Sequence, residues 1–83
     1  MKVIRRKLAR ERAWGLSHSD GIIEIDERLK GRKLLEILIH EAMHILNPEM
    51  TENEVVRQSK ALTKLLWREG YRWTDNDQSQ PLQ

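Results

Sequence analysis

The chain has 83 residues, enough for one small domain, and its 39% hydrophobic and 34% charged residues are typical of a folded protein. It contains no cysteine, which excludes a disulfide framework, a cysteine-based zinc finger and a thiol nucleophile. No segment approaches the roughly 20 apolar residues of a membrane span, and the basic N-terminus is not followed by the apolar segment of a secretory signal. We therefore expect no membrane association and a cytoplasmic location, in a bacterial host cell or encoded by its phage.

The formal net charge is +2, but the basic residues are concentrated near the N-terminus. Residues 1–12 contain six of the fifteen Lys and Arg residues and one acid, Glu11. A basic segment indicates nucleic-acid binding when it belongs to a recognition motif or contains aromatic side chains. Residues 1–12 match no recognised motif and contain no aromatic side chain. We expect a solvated surface here, with nucleic acid as the less favoured partner.

The first third of the chain predicts strands. Residues 2–8 fit either a strand or a helical turn, because Ile4 and Leu8 satisfy both periods. Residues 13–26 predict a β-hairpin, in which Ser19-Asp20-Gly21 forms the turn and the β-branched segment Ile22–Asp26 forms the second strand. Trp14 in this hairpin is expected to belong to the core.

Two helices are predicted to follow. From Lys33 the chain is apolar almost all round a helix, which indicates a buried central helix that Asn47-Pro48 ends. Thr51 is a good cap for a second helix, which runs to about Glu69 with Gly70 after it.

The predicted fold is therefore α+β, a small antiparallel sheet of two or three strands followed by two packed helices. It forms a single domain over residues 1–73. The polar segment 74–83 is predicted to be a disordered tail.

The central helix contains the sequence His40-Glu41-Ala42-Met43-His44, which is an HExxH motif. Residues four apart on a helix lie on one face, about 5–6 Å apart at Cβ, so both imidazoles can reach one zinc ion at about 2.0–2.1 Å. Glu41 is offset by about 100° around the helix, where a carboxylate can act as general base on a metal-bound water. Burying two imidazoles and a carboxylate without partners is costly, which favours Zn²⁺ as the cofactor over three satisfied core residues.

A catalytic zinc site needs a third protein ligand, and the candidates after His44 are Glu49, Glu52 and Glu54. On a helical wheel Glu52 lies roughly 40–60° from the inner stripe of the second helix, whereas Glu54 lies roughly 100° or more away. Glu54 also completes a capping box with Thr51. We therefore predict His40, His44 and Glu52 as metal ligands, with Glu54 as the alternative to Glu52. The inner stripe consists of Val55, Ser59, Leu62 and Leu66.

Four segments resemble known proteins: LEILIHE from Leu35, the motif through His44, TENEV from Thr51 and LWREGYR from Leu66. Together they resemble small HExxH proteins of bacteriophages and prophages, and more distantly they are similar to minimal gluzincin-type zinc metallopeptidases. The resemblance covers about residues 13–73. In gluzincins the third ligand is a Glu on the next helix, often followed three residues later by a small or aliphatic residue, as Val55 follows Glu52. An edge strand commonly precedes the active-site helix and pairs with the substrate, and Ile22–Asp26 is in the matching place.

The resemblance implies peptide-bond hydrolysis, in which zinc activates a water and Glu41 is the general base. The chain departs from larger gluzincins because it has no second subdomain and no clear downstream His to stabilise the oxyanion. His18, Tyr71 and Arg72 are the side chains considered for that role. The alternative function is a non-catalytic phage or host protein-interaction module stabilised by zinc. The partner is accordingly either a polypeptide substrate or another protein.

Overall fold

The computed structural model describes residues 1–73, and the tail predicted for 74–83 lies outside the described residues. Three strands precede two helices, which confirms the predicted α+β fold and the order of its elements. Within residues 1–73, neither helix is both long enough and apolar enough to cross a membrane. The elements are β1 (Lys2–Arg6), β2 (Gly15–Ser17), β3 (Ile22–Asp26), α1 (Gly31–Leu46) and α2 (Glu52–Arg68).

The sheet has the strand order β1-β3-β2 and is mixed. β2 and β3 form the predicted antiparallel hairpin, with Leu16 opposite Glu24. β1 runs parallel to β3, with Ile4 also opposite Glu24, where we expected an antiparallel strand. The difference arises because residues 7–14 carry the chain past the end of the sheet, so that β3 inserts between β1 and β2. Alternation of apolar residues reports which face a side chain occupies, but not the direction of the neighbouring strand.

The hydrophobic core lies between the sheet and α1. Ile23 and Ile25 of β3 point to the same face and are almost completely buried against Leu34 of α1, and Leu29 closes the cluster. Because successive side chains alternate, Glu24 points to the opposite face of the sheet. The partly buried residues that complete this core are Ile37, Leu38, Ala42 and Ile45.

α2 packs against α1, so α1 is the central layer, as its apolar composition predicts. The buried side chains of α2 are Val55, Ser59 and Thr63, spaced four residues apart on one face. Thr51 and Glu54 form the capping box: the Thr51 hydroxyl accepts from the Glu54 amide at 3.2 Å, and Glu54 Oε1 accepts from the Thr51 amide at 3.4 Å. The capping box fixes where α2 starts, and therefore where Glu52 lies relative to α1.

Candidate metal centre

Three side chains from the two helices converge at one point. α1 places His40 and His44 one turn apart, and the turn at residues 47–51 brings Glu52, the first residue of α2, back over them. Glu52 Oε1 lies 2.9 Å from His44 Nε2, and Glu52 Oε2 lies 3.2 Å from His40 Nε2. The two Nε2 atoms are themselves 3.2 Å apart. The structure therefore brings the three predicted ligands together.

This triangle has the dimensions and chemistry of a metal site. Donor atoms about 2.0–2.1 Å from one tetrahedral zinc ion are about 3.4 Å from each other, close to the separations of 2.9 to 3.2 Å found here. Glu52 presents a different oxygen to each imidazole, so each Nε2–H can donate to its own carboxylate oxygen, and a cation held by Glu52 and the two Nε2 atoms would take the place of these hydrogen bonds. One donor atom from each of the three residues lies within 4.8 Å of the others.

The site is open on one side. The side chain of His40 is 16% exposed, that of His44 is 31% exposed and that of Glu52 is 64% exposed. A metal held by these three residues would have a coordination position facing solvent, as a catalytic zinc site requires. The carboxylate of Glu54 lies instead in the capping box at the start of α2.

Glu41 is buried on the neighbouring side of α1. Its relative exposure is 8%, and among residues 1–73 its carboxylate has no hydrogen-bond or ion-pair partner. It lies against Gly15 of β2, where a Cβ atom would come 3.3 Å from Glu41 Oε2. A buried carboxylate without a protein partner costs free energy, so this position points to a partner such as a bound water.

β2, not β3, is the edge strand beside the motif. The resemblance implied Ile22–Asp26 as the edge strand, but that strand is β3 and lies in the centre of the sheet. Among residues 1–73, β2 is paired on one side only, and it runs along α1 from the level of Glu41 to that of His44. A depression of about 320 Å³ next to His44 is lined by this end of the strand and by the turn after α1, including Ser17 and Pro48.

Of the three side chains considered for the oxyanion, Tyr71 and Arg72 lie away from the triangle, whereas His18 is among the residues that line the depression next to His44. His18 Nε2 approaches Glu24 Oε1 at 3.5 Å, on the face of the sheet opposite α1. There Glu24 also accepts two hydrogen bonds from the Arg6 guanidinium, which lowers the pKa of the Glu24 carboxyl. Tyr71 and Arg72 follow the C-terminus of α2, and 17 helical residues separate them from Glu52 by about 25 Å.

No family model, no curated protein and no solved structure matches the chain.

Two residues near the triangle, Gly15 and Ser17, were not predicted from the motifs. Gly15 allows the edge strand to approach Glu41, and Ser17, two residues on, shares its face of the sheet and lines the depression at His44. A glycine within a strand often marks close approach of another group, and that signal was present in the sequence.

Proposed function

We propose that the chain is a zinc-dependent metallopeptidase, with His40, His44 and Glu52 as ligands and Glu41 as general base. The observation that carries the proposal is the convergence of three ligand atoms on one point beside a buried carboxylate that has no partner in residues 1–73. A chain without cysteine needs no oxidising compartment, and we propose that it acts in the cytoplasm of a bacterial cell, or of a cell that carries a phage.

The chain's own residues have separate roles in this reaction. When bound, zinc supplies a water of lowered pKa and a Lewis acid for the scissile carbonyl. Glu41 accepts the proton of the attacking water and returns it to the leaving amine. Its contact with Gly15 fixes the direction from which the carboxylate acts, since the strand leaves no room for the side chain to turn toward β2.

An extended polypeptide is the substrate class that fits the surroundings of the site. In the part of the chain that the structure describes, no strand lies beside the outer edge of β2, and an extended chain can pair with such an edge. A peptide paired there would pass Glu41 and His44 in turn, and one of its side chains would enter the depression next to Ser17. This arrangement places a peptide bond near the open side of the triangle.

The second candidate function is a protein-interaction module in which zinc holds α1 and α2 together without catalysis. The positions of Tyr71 and Arg72 favour it, because both line the cavity at the other end of the helices, and the His18 imidazole is directed to Glu24. In that case zinc would contribute to folding, and Glu41 would be dispensable for the biological role.

The experiment that separates the two uses zinc-loaded protein and unfolded fluorescent casein as a general substrate. We expect one zinc per chain in wild type and in Glu41→Gln, because Glu41 is not a ligand. Cleavage should fall by about 10²–10⁴-fold in Glu41→Gln and remain unchanged in Glu49→Gln, a matched substitution on the surface. Equal cleavage by wild type and Glu41→Gln would contradict the peptidase proposal. Zinc binding without cleavage by any variant would support the interaction module.

A further inference from the structure

A second cavity lies at the end of the helical hairpin remote from the triangle. Its apolar lining comes mainly from Leu34, Leu35 and Leu38 of α1 and from Trp67 of α2, and its volume is about 220 Å³. Almost all of its surface consists of carbon atoms. Trp67 is 15 residues along α2 from Glu52, which is about 22 Å, and none of the three predicted ligands lines this cavity, so it is separate from the candidate metal centre.

Two arginine side chains line this cavity, and both are stacked on indole rings. The Arg5 guanidinium lies 4.1 Å from the ring centre of Trp73, and the Arg72 guanidinium lies 3.5 Å from that of Trp67. Arg72 also donates to two backbone carbonyls. Within residues 1–73 neither arginine forms an ion pair with a carboxylate. Stacking and hydrogen bonds fix the two cations in place without neutralising their charge.

The charge of the surrounding surface has the same sign. Residues 30–34, at the start of α1, and 64–72, at the end of α2, contain basic residues and a single acid, Glu69. Of the basic residues in these two segments, Arg72 lines the cavity, together with Arg5 of β1, whereas Arg32 and Lys64 line a separate depression with Glu36. The cavity is therefore apolar, with two cationic side chains in its lining. The basic residues of these two segments are Lys30, Arg32, Lys33, Lys64, Arg68 and Arg72.

We propose that this cavity binds an acidic peptide segment of a partner protein, with one large apolar side chain inserted and flanking Asp or Glu residues beside Arg5 and Arg72. The positive charges of Arg5 and Arg72 favour acidic flanking residues in the peptide, and the apolar lining favours an apolar inserted side chain. A nucleobase fits less well, because its ring nitrogens and carbonyls would lose hydrogen bonds in an apolar cavity. In addition, one face of each indole ring is already covered by a guanidinium group. The proposal does not depend on the metal centre.

The test uses the full chain labelled with ¹⁵N and a capped pentapeptide in which Phe stands between two pairs of Asp. We expect the indole N–H signals of Trp67 and Trp73 to shift, while that of Trp14, which lies on another surface, stays in place. The same peptide with Ala for Phe should bind at least about tenfold more weakly, because the buried side chain is lost. Replacement of Asp by Lys should abolish binding. A shift of Trp14 alone, or equal binding of the Phe and Ala peptides, would overturn the proposal.

Variants add a second criterion. Arg5→Gln combined with Arg72→Gln should weaken binding of the Phe peptide about tenfold, and Arg57→Gln, a surface arginine elsewhere on α2, should leave it unchanged. Leu35→Gln should weaken it by a similar factor, whereas Leu62→Gln should not. Tighter binding of a short oligothymidylate than of the peptide, with the same dependence on Arg5 and Arg72, would assign the site to nucleic acid and overturn the proposal. The wild-type spectra decide the question even where a variant does not fold.

Discussion

Gly15 of β2 and Glu41 of α1 are packed so closely that a Cβ atom on residue 15 would lie 3.0 Å from Glu41 Cγ. The same Cβ atom would lie 2.7 Å from Cγ2 of Ile37, closer than real Cβ contacts. The absence of a side chain at residue 15 is therefore what allows the edge strand to pass next to the proposed general base.

The first prediction concerns Gly15→Ala. The added methyl group must displace β2 or α1, so we expect a loss of about 1–3 kcal/mol in unfolding free energy, measured by denaturant titration. Zinc affinity should change little, because all three ligands lie on the two helices. Any peptidase activity should fall more than zinc affinity, since the added methyl group presses on Ile37 and on Glu41 and not on a ligand. Ser17→Ala, two residues further along the strand, is the control for a mild change in β2. Full stability and activity of Gly15→Ala would contradict this account of the packing.

The helices and their motif were predictable from the sequence because each depends on local spacing. The long apolar segment that ends at Asn47-Pro48 placed α1, the Thr51–Glu54 box placed the start of α2, and the wheel angle placed Glu52 rather than Glu54 next to the histidines. These features involve residues within one or two turns of each other, so sequence and structure agree about them.

The arrangement of the strands depended on contacts between distant residues. The alternating pattern could not show that β3 lies between β1 and β2, and the edge strand that the resemblance implied, Ile22–Asp26, is the central one. Trp14, expected in the core, is 47% exposed, and the Arg28 guanidinium lies 5.2 Å from the centre of the Trp14 ring. The sequence showed that Trp14 is a large apolar residue, but it did not show how much of the side chain the fold leaves exposed.

The second prediction separates Glu52 from Glu54. Glu52→Ala removes an atom of the triangle and should weaken zinc affinity by about 10²-fold or more, measured by competition with a chromogenic chelator. Glu54→Ala removes half of the capping box and should lower stability by about 0.5–1 kcal/mol, with zinc affinity changed by less than about threefold. The reverse order of the two zinc affinities would assign the ligand to Glu54.

The third prediction concerns metal removal. The turn at residues 47–51 alone connects the ligands on α1 to Glu52, so a bound ion would clamp the two helices together. Free zinc at about 100 times its Kd should stabilise the fold by about 2.7 kcal/mol and raise Tm by about 10 °C or more, measured by calorimetry. A chelator should reverse the shift. His44→Ala should show no dependence on zinc. An identical Tm for wild type with zinc and with chelator would exclude a metal held by this triangle.

The fourth prediction is a pH dependence that originates outside the metal centre, at Asp26. Its side chain is fully buried and accepts hydrogen bonds from the Leu8 amide and from the amide and guanidinium of Arg28. The Arg28 hydrogen bonds hold the pKa of the Asp26 carboxyl well below its usual range, although burial acts in the opposite direction. Asp26 thereby ties the loop after β1 to the segment before α1.

The sign of the pH effect follows from that direction. The folded pKa of Asp26 lies below the unfolded value of about 3.9, so its contribution to stability is complete above that value and is lost as the pH falls through the folded pKa. Asp26→Asn should lower Tm at pH 7 and make the decrease in Tm between about pH 4 and pH 2 shallower than in wild type. Asp20→Asn is the matched control, because Asp20 is exposed and accepts one hydrogen bond, from the Ile22 amide. If Tm, measured by circular dichroism, fell equally steeply with decreasing pH in wild type and in Asp26→Asn, Asp26 would not be the group that links folding to acid.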